Sequence, residues 1–210
     1  MQTHSAKSEI ADQLRSFGVS LKEFLRDPSM VGSAFPASRR MIDKMLADVP
    51  WKEIDVFVEY GPGTGRFTEE ALRRLGPHAK LVAIDTSPDF TRNLERQIRD
   101  RRLIAVAGSA QDVENILSLR GLDSADCILS GLPFSNVGRL EGRAIMDASW
   151  SVLATNGHFL AYQMRKAIRP LLDERFHMVS ESFEWRNVPP CHLYMASRPR
   201  HLARRRAVPA

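Results

Sequence analysis

The sequence predicts an α/β fold: a doubly wound, seven-stranded sheet, mostly parallel, with an antiparallel C-terminal hairpin and helices before it. Three observations carry this. From Asp55 onward, short and nearly continuous apolar runs alternate with amphipathic stretches, as strands covered on both faces do. That alternation repeats, and repeated strand–helix units pair their strands in parallel. The last two apolar runs are separated only by Arg186-Asn187-Val188-Pro189-Pro190, too short for a crossover helix, so they must pair antiparallel.

The elements follow in order. Ile10, Leu14, Phe17, Leu21, Phe24 and Leu25 have helical spacing, with Lys7, Arg15, Lys22 and Arg26 elsewhere around the wheel. Gly18 weakens this helix by up to about 1 kcal/mol relative to Ala, so it needs a surface to lie on. Asp27-Pro28 ends it, and a second helix is expected over 38–46. Strands are expected over 55–59, 80–85, 103–107, 125–130 and 158–163, with helices over 68–75 and 88–99 among them. Gly76-Pro77 stops the first of these helices. Runs 178–185 and 191–197 form the final hairpin. The chain thus divides into residues 1–50, a helical lid or membrane-contact segment, residues 51–197, a catalytic domain, and residues 198–210, a basic tail.

Composition narrows the classes. With 210 residues, 43% hydrophobic and 26% charged, the chain supports one packed domain and excludes a disordered, collagen-like or disulfide-scaffold protein. The net charge of +5 is uneven: five arginines, Arg198, Arg200, Arg204, Arg205 and Arg206, crowd the end, and no acid follows Glu184. Without them the chain has twenty-five charges of each sign. No run approaches the roughly 20 apolar residues of a spanning helix, and residues 1–10 lack the apolar stretch of a secretory signal. Cys127 and Cys191 sit in apolar contexts and read as reduced, buried thiols, which points to the cytoplasm. There is no His/Cys ligand cluster, so no metal is expected.

The sharpest local signal is Glu59-Tyr60-Gly61-Pro62-Gly63-Thr64-Gly65, at a strand end and leading into a helix. Glycines there let the backbone turn tightly and approach a ligand. Asp85 ends the next strand, twenty residues after Gly65, where an acid can accept hydrogen bonds from both ribose hydroxyls. The G-x-G-x-G spacing and the leading Glu59 favour a nucleoside without a pyrophosphate. These residues resemble the Rossmann-like class I S-adenosylmethionine-dependent methyltransferases. The resemblance implies S-adenosyl-L-methionine as cofactor, with Glu59, Gly61, Gly63 and Gly65 around its methionine part and Asp85 and Thr86 at the ribose. It places Ser109 and Ala110 at the adenine. Many members have Asp where Ser109 stands, so Gln111 or Asp112 are rivals for that contact.

The fourth strand runs into Ser130-Gly131-Leu132-Pro133-Phe134-Ser135, which resembles the Asn-Leu-Pro-Tyr-type motif of amino methyltransferases. The resemblance makes residues 130–134 the catalytic loop, its carbonyls aiming a nucleophilic nitrogen at the sulfonium methyl, with Ser130 also on the cofactor and Phe134 beside the substrate. Gly131 stands where adenine-modifying relatives place Asn, which counts against a nucleobase substrate.

Two further segments, Met30 to Ser38 and Arg186 to Tyr194, complete a similarity to the bacterial phospholipid N-methyltransferases, which convert phosphatidylethanolamine to phosphatidylcholine by three methylations. That resemblance implies phospholipid biosynthesis by a peripheral enzyme on the inner face of the cytoplasmic membrane. It puts Phe35 and Ser38 in a lid over the cofactor. Arg186 is the choice for the substrate phosphate, because guanidinium matches phosphate geometry, with Arg39 and Arg40 as rivals. An anionic membrane surface suits both ends of the chain. The N-terminal helix either lies in the bilayer interface or packs on its own domain, and the arginines gain about 1 kcal/mol each near anionic lipid or remain a solvated end. The proton acceptor stays open among Tyr162, His177 and His192. The alternatives are N-methylation of RNA adenine or of another amine, and a non-catalytic cofactor- or membrane-binding module. The short remainder after the last strand is expected to leave no room for an RNA-binding domain.

Overall fold

The computed structural model describes residues 37–197. The helix expected over 10–25, Phe35 and the arginines from Arg198 onward lie outside the described residues.

Helix α1 (Arg39–Met45) starts at Ser38, whose hydroxyl accepts from the Met41 amide at 3.2 Å, a side-chain N-cap. Then come β1 (Val56–Tyr60), α2 (Arg66–Arg74), β2 (Lys80–Asp85), α3 (Pro88–Gln97), β3 (Leu103–Ala107), α4 (Val113–Ser118), β4 (Ala125–Ser130), α5 (Arg139–Val152) and β5 (Leu153–Gln163). The chain closes with α6 (Arg169–Asp173), β6 (Met178–Glu184) and β7 (Cys191–Ser197). Single 3-10 turns cover Trp51–Glu53, Ala110–Asp112 and Lys166–Ile168.

The seven strands form one sheet in the order β3-β2-β1-β4-β5-β7-β6. β1 to β5 pair in parallel, whereas β7 pairs antiparallel with both β5 and β6. This is the mixed sheet expected from the alternation and from the short final connection. β5 is longer than its apolar run. It starts at Leu153, paired with Ala125, and the register shifts before His158 meets Cys127. Polar Asn156 and Gly157 interrupt the hydrophobic pattern there, which hides the extension from a periodicity argument.

Strand alternation feeds two cores. Tyr60, Ile84, Ile128, Phe159 and Ala161 pack with Val113, Ile145 and Met146 of α4 and α5. Phe57, Leu81, Leu129 and Leu160 pack on the opposite face with Met41, Ile42, Phe67 and Leu94. Helix α1 is therefore part of the central packing. Arg102 fastens the end of α2, donating to the carbonyls of Leu72 at 2.7 Å and Leu75 at 2.8 Å. Among the described residues, no helix is long and apolar enough to cross a membrane.

Candidate active site

The chain order reverses between β1 and β4, and ligands of doubly wound sheets bind at such a switch, beyond the carboxyl ends of the strands. Tyr60 stands opposite Ser130 there, and Ser130 opposite Ala161. The loops after these strands carry the site.

After β1 the chain turns through Gly61, Gly63 and Gly65, all with positive φ. Gly65, at +79°, also lacks a Cβ for a packing reason: one would lie 2.6 Å from the Leu94 side chain of α3. The glycines of this turn thus serve both its path and the seating of α3. Glu59, just before the turn, is buried, and the Thr68 hydroxyl donates to it at 2.6 Å. Burial pushes its carboxyl up to about 7, against the Thr68 hydrogen bond, with the Asp85 charge adding to the rise.

Asp85 ends β2. Its Oδ1 accepts from the Ser87 amide at 2.8 Å, and no partner among the described residues takes the other oxygen. Burial raises its pKa, opposed by that hydrogen bond. Thr86 is exposed beside it. After β3, the Ser109 hydroxyl accepts from the Gln111 amide at 3.2 Å and caps the turn that buries Ala110. Ser109 is therefore engaged by its own loop.

The loop after β4 is held from β5. The Gln163 side chain accepts from the Phe134 amide at 3.2 Å and donates to the Leu132 carbonyl at 2.7 Å. The Pro133 carbonyl is taken by the Asn136 amide at 2.8 Å. Gly131 donates its amide to the Tyr60 carbonyl at 2.9 Å, and its own carbonyl has no partner among the described residues. A Cβ on residue 131 would collide with the Tyr162 hydroxyl and come within 3.1 Å of the Gly61 carbonyl. The β1 and β4 loops therefore meet at a point where only backbone fits. Such a bare backbone cradle, next to a lone acid at the end of β2, fits a small nucleoside ligand.

A solvent-open cleft lies beside this point, lined by Ala37, Met41, Gly131, Pro133, Tyr162 and Asn187, among others. Tyr162 stacks on Phe67 with ring centroids 4.9 Å apart. Burial holds its phenol well above the ordinary range, with the Glu59 and Cys191 charges adding, so it stays a neutral hydroxyl. The Asn187 side chain accepts from the Ser38 amide at 2.9 Å and donates to the Pro189 carbonyl at 2.7 Å, tying the β6–β7 loop to α1.

The structure thus gathers Glu59, Gly61, Asp85, Ser130 and Gly131 at the strand ends. Ser38 stands at the cleft's edge as a helix cap. Arg186 lies over the Trp185 ring, 4.8 Å from its centroid, while its neighbour Asn187 lines the cleft. Arg39 and Arg40 face Glu70 and Glu184 at 3.5 Å each. Of the three proton-acceptor candidates only Tyr162 reaches the cleft. His177 is exposed before β6, and His192 lies 2.9 Å from Glu181 on the outer hairpin. Sequence reasoning missed Gln163 and Asn187, whose signal is only a polar residue at the end of an apolar run or in a turn. Among the described residues, no group of three or more His, Cys, Asp or Glu side chains could hold a metal ion.

A glycine turn, an acid one strand over and a bare-backbone loop at the switch point define a nucleoside-cofactor domain of the Rossmann-like kind. Residues 57–157 match the family described as methyltransferase domain. The ornithine lipid N-methyltransferase of Singulisphaera acidiphila is 29% identical over 187 residues, 86% of this chain and 95% of that protein. Ribosomal RNA small subunit methyltransferase A of Thermotoga neapolitana is 26% identical over 64% of this chain and 46% of its own length. Among solved structures, the N-methyltransferase NodS of Bradyrhizobium japonicum in complex with S-adenosyl-L-homocysteine superposes with a TM-score of 0.61 at 17% identity, over 88% of this chain and 98% of that one. The chain carries a class I S-adenosylmethionine-dependent methyltransferase domain, and S-adenosylmethionine is its cofactor.

Proposed function

We propose that the protein methylates the amine of a membrane-lipid headgroup, phosphatidylethanolamine and its mono- and dimethyl forms or the amine of an ornithine lipid. The observation that carries this reading is the Gly131 carbonyl: it has no partner among the described residues, and Gly131 lines the cleft beside the glycine turn. The similarity to the Singulisphaera protein, along nearly its whole length, supports a lipid amine; the ribosomal RNA enzymes align over less than half of theirs.

When bound, S-adenosylmethionine supplies an electrophilic methyl on its sulfonium sulfur. The roles assigned to this chain's residues follow from their places. Asp85 accepts from the ribose hydroxyls with its unpartnered oxygen, and Thr86 flanks it. Gly61 and Gly63 bring backbone against the methionine part, and Glu59 lies buried behind it. Ala110 and the Ser109 backbone border the adenine. Ser130 and Gly131 present carbonyls to the amine, turning its lone pair to the methyl, while Pro133 and Phe134 hold the loop's shape. Transfer of a methyl by direct displacement needs chiefly this positioning.

A free alkyl amine has a pKa of about 10, judged by lysine, so it must lose a proton before it attacks. Entry into the partly apolar cleft lowers that value, because desolvation disfavours the ammonium. The Tyr162 hydroxyl is placed to accept a hydrogen bond from the amine and pass its proton toward water.

The test is incubation with labelled S-adenosylmethionine and, in parallel, vesicles of phosphatidylethanolamine, vesicles containing ornithine lipid, and ribosomal RNA. Label in either lipid is the expected result and decides between the two headgroups. Label in RNA alone would overturn the reading.

A further inference from the structure

Among the described residues, seven large hydrophobic side chains are exposed, and four of them crowd one end of the sheet. They are Met164 at 43% exposure, Phe183 at 46%, Trp185 at 65% and Val188 at 76%. Strand register explains the clustering. Gln163, the last residue of β5, stands opposite His192, and Glu184, the last of β6, stands opposite Cys191. Met164, Trp185 and Val188 therefore leave the sheet together, on the side where the cleft opens. Met164, Asn187 and Pro189 line the cleft itself. Met164 belongs to both the apolar rim and the cleft, and Val188 stands between the cleft-lining Asn187 and Pro189, so the rim adjoins the site's mouth.

Cations are interleaved with these side chains. Arg165 and Lys166 follow Met164, both exposed, and Arg186 lies over the Trp185 ring. The nearby acids are already committed. Glu181 faces Lys166 at 2.8 Å, Arg169 at 3.4 Å and His192 at 2.9 Å, and Glu184 faces Arg40 at 3.5 Å and Lys44 at 3.9 Å. Large exposed apolar groups of this kind mark an interaction surface. A protein partner would bury such a patch under a matching shape. A bilayer interface asks for something looser: an aromatic ring at headgroup level, apolar side chains just below it, and cations at the depth of the lipid phosphates. The rim supplies all three.

We infer that the β6–β7 loop and the turn after β5, through Trp185, Val188, Phe183 and Met164 with Arg165, Lys166 and Arg186, are the surface by which the protein docks on a lipid bilayer. This rests on the lipid-amine reading and deepens it. Docked in this way, the cleft faces the headgroups, so an amine can enter without its acyl chains leaving the membrane. The contact differs from the N-terminal helix and the arginine tail expected from the sequence, and it lies at the active-site mouth.

The full-length chain and its Trp185→Ser/Val188→Ser variant are compared by sedimentation with vesicles of phosphatidylethanolamine and phosphatidylglycerol. Each is also assayed for methyl transfer to those vesicles and to a short-chain phosphatidylethanolamine and a short-chain ornithine lipid, both dispersed as monomers. The expected result is at least a tenfold loss of vesicle binding and of transfer to vesicles, with transfer to a monomeric lipid kept within about twofold. Arg165→Gln should weaken binding to anionic vesicles and leave binding to neutral phosphatidylcholine vesicles unchanged. Wild-type sedimentation of the double variant, with an unchanged thermal melt, overturns the docking surface; the segment before Ala37 would then be its cover. Failure of the lipid-amine reading shows itself differently, as no transfer to either monomeric lipid by the wild-type chain.

Discussion

The Tyr162 hydroxyl occupies the space that a Cβ on residue 131 would need, and the ring's Cζ would lie 2.9 Å from that carbon. The glycine of the Ser-Gly-Leu-Pro loop and the tyrosine of β5 are therefore one feature. A side chain at 131 of the kind that holds a nucleobase is excluded by the neighbouring strand, and the loop contributes backbone alone.

Gly131→Ala is expected to destabilise the fold by about 1–3 kcal/mol through overpacking and to depress activity further by displacing the loop. Adding Tyr162→Val should recover part of the stability. Thermal or denaturant unfolding of the single and double variants measures the coupling, and strict additivity would mean the two residues do not share this space.

Gln163 grips the loop at two points. Gln163→Ala should lower kcat by about ten- to a hundredfold, by loosening the geometry of attack, while the affinity for S-adenosyl-L-homocysteine stays within a few-fold. Gln163→Glu keeps the acceptor and loses the donor to Leu132, and should be no better. A loss confined to KM would mean that Gln163 binds substrate rather than holding the loop.

Asp85→Ala should weaken binding of S-adenosyl-L-homocysteine at least tenfold, since the oxygen without a partner among the described residues is the one available to a ribose. Calorimetric titration checks this. An unchanged affinity would show that the ribose contact lies elsewhere.

Glu59 gives the protein a signature in pH. Burial pushes its carboxyl up from the ordinary 4.5 to about 7, so the folded state binds more protons than the unfolded state between those values. This stabilising contribution is complete below about 4.5 and lost as pH rises through about 7. Relative to Glu59→Gln, the thermal midpoint of the native chain should therefore fall across that window and run parallel above it. A native curve parallel to that of the variant throughout would mean that Glu59 is ionised in the fold.

Arg102 offers a structural test away from the site. Arg102→Ala leaves the carbonyls of Leu72 and Leu75 without this donor and frees Asp100, whose carboxyl the guanidinium holds down at about 2. A loss of about 1–3 kcal/mol is expected in denaturant melts, with cofactor affinity unaltered.

The sequence by itself determined the sheet, and it marked the glycine turn and Asp85 as candidates for the cofactor end of the site. Period and length marked the strands, and the five residues between the expected runs 178–185 and 191–197 forced the antiparallel hairpin, which the structure forms from Met178–Glu184 and Cys191–Ser197. The glycine turn and Asp85 were legible because backbone shape and a strand-end acid are written locally. Only the tertiary structure decided what lies across strands. It set Gln163 against Leu132, Tyr162 against Gly131, Asn187 against Ser38, and the exposed Trp185 and Val188 beside the cleft's mouth. These are pairings between residues up to 149 positions apart, created by sheet order and register, and no local pattern encodes them. The charge count shares that division: its excess lies in the five terminal arginines, while the cations at the cleft are placed by the fold.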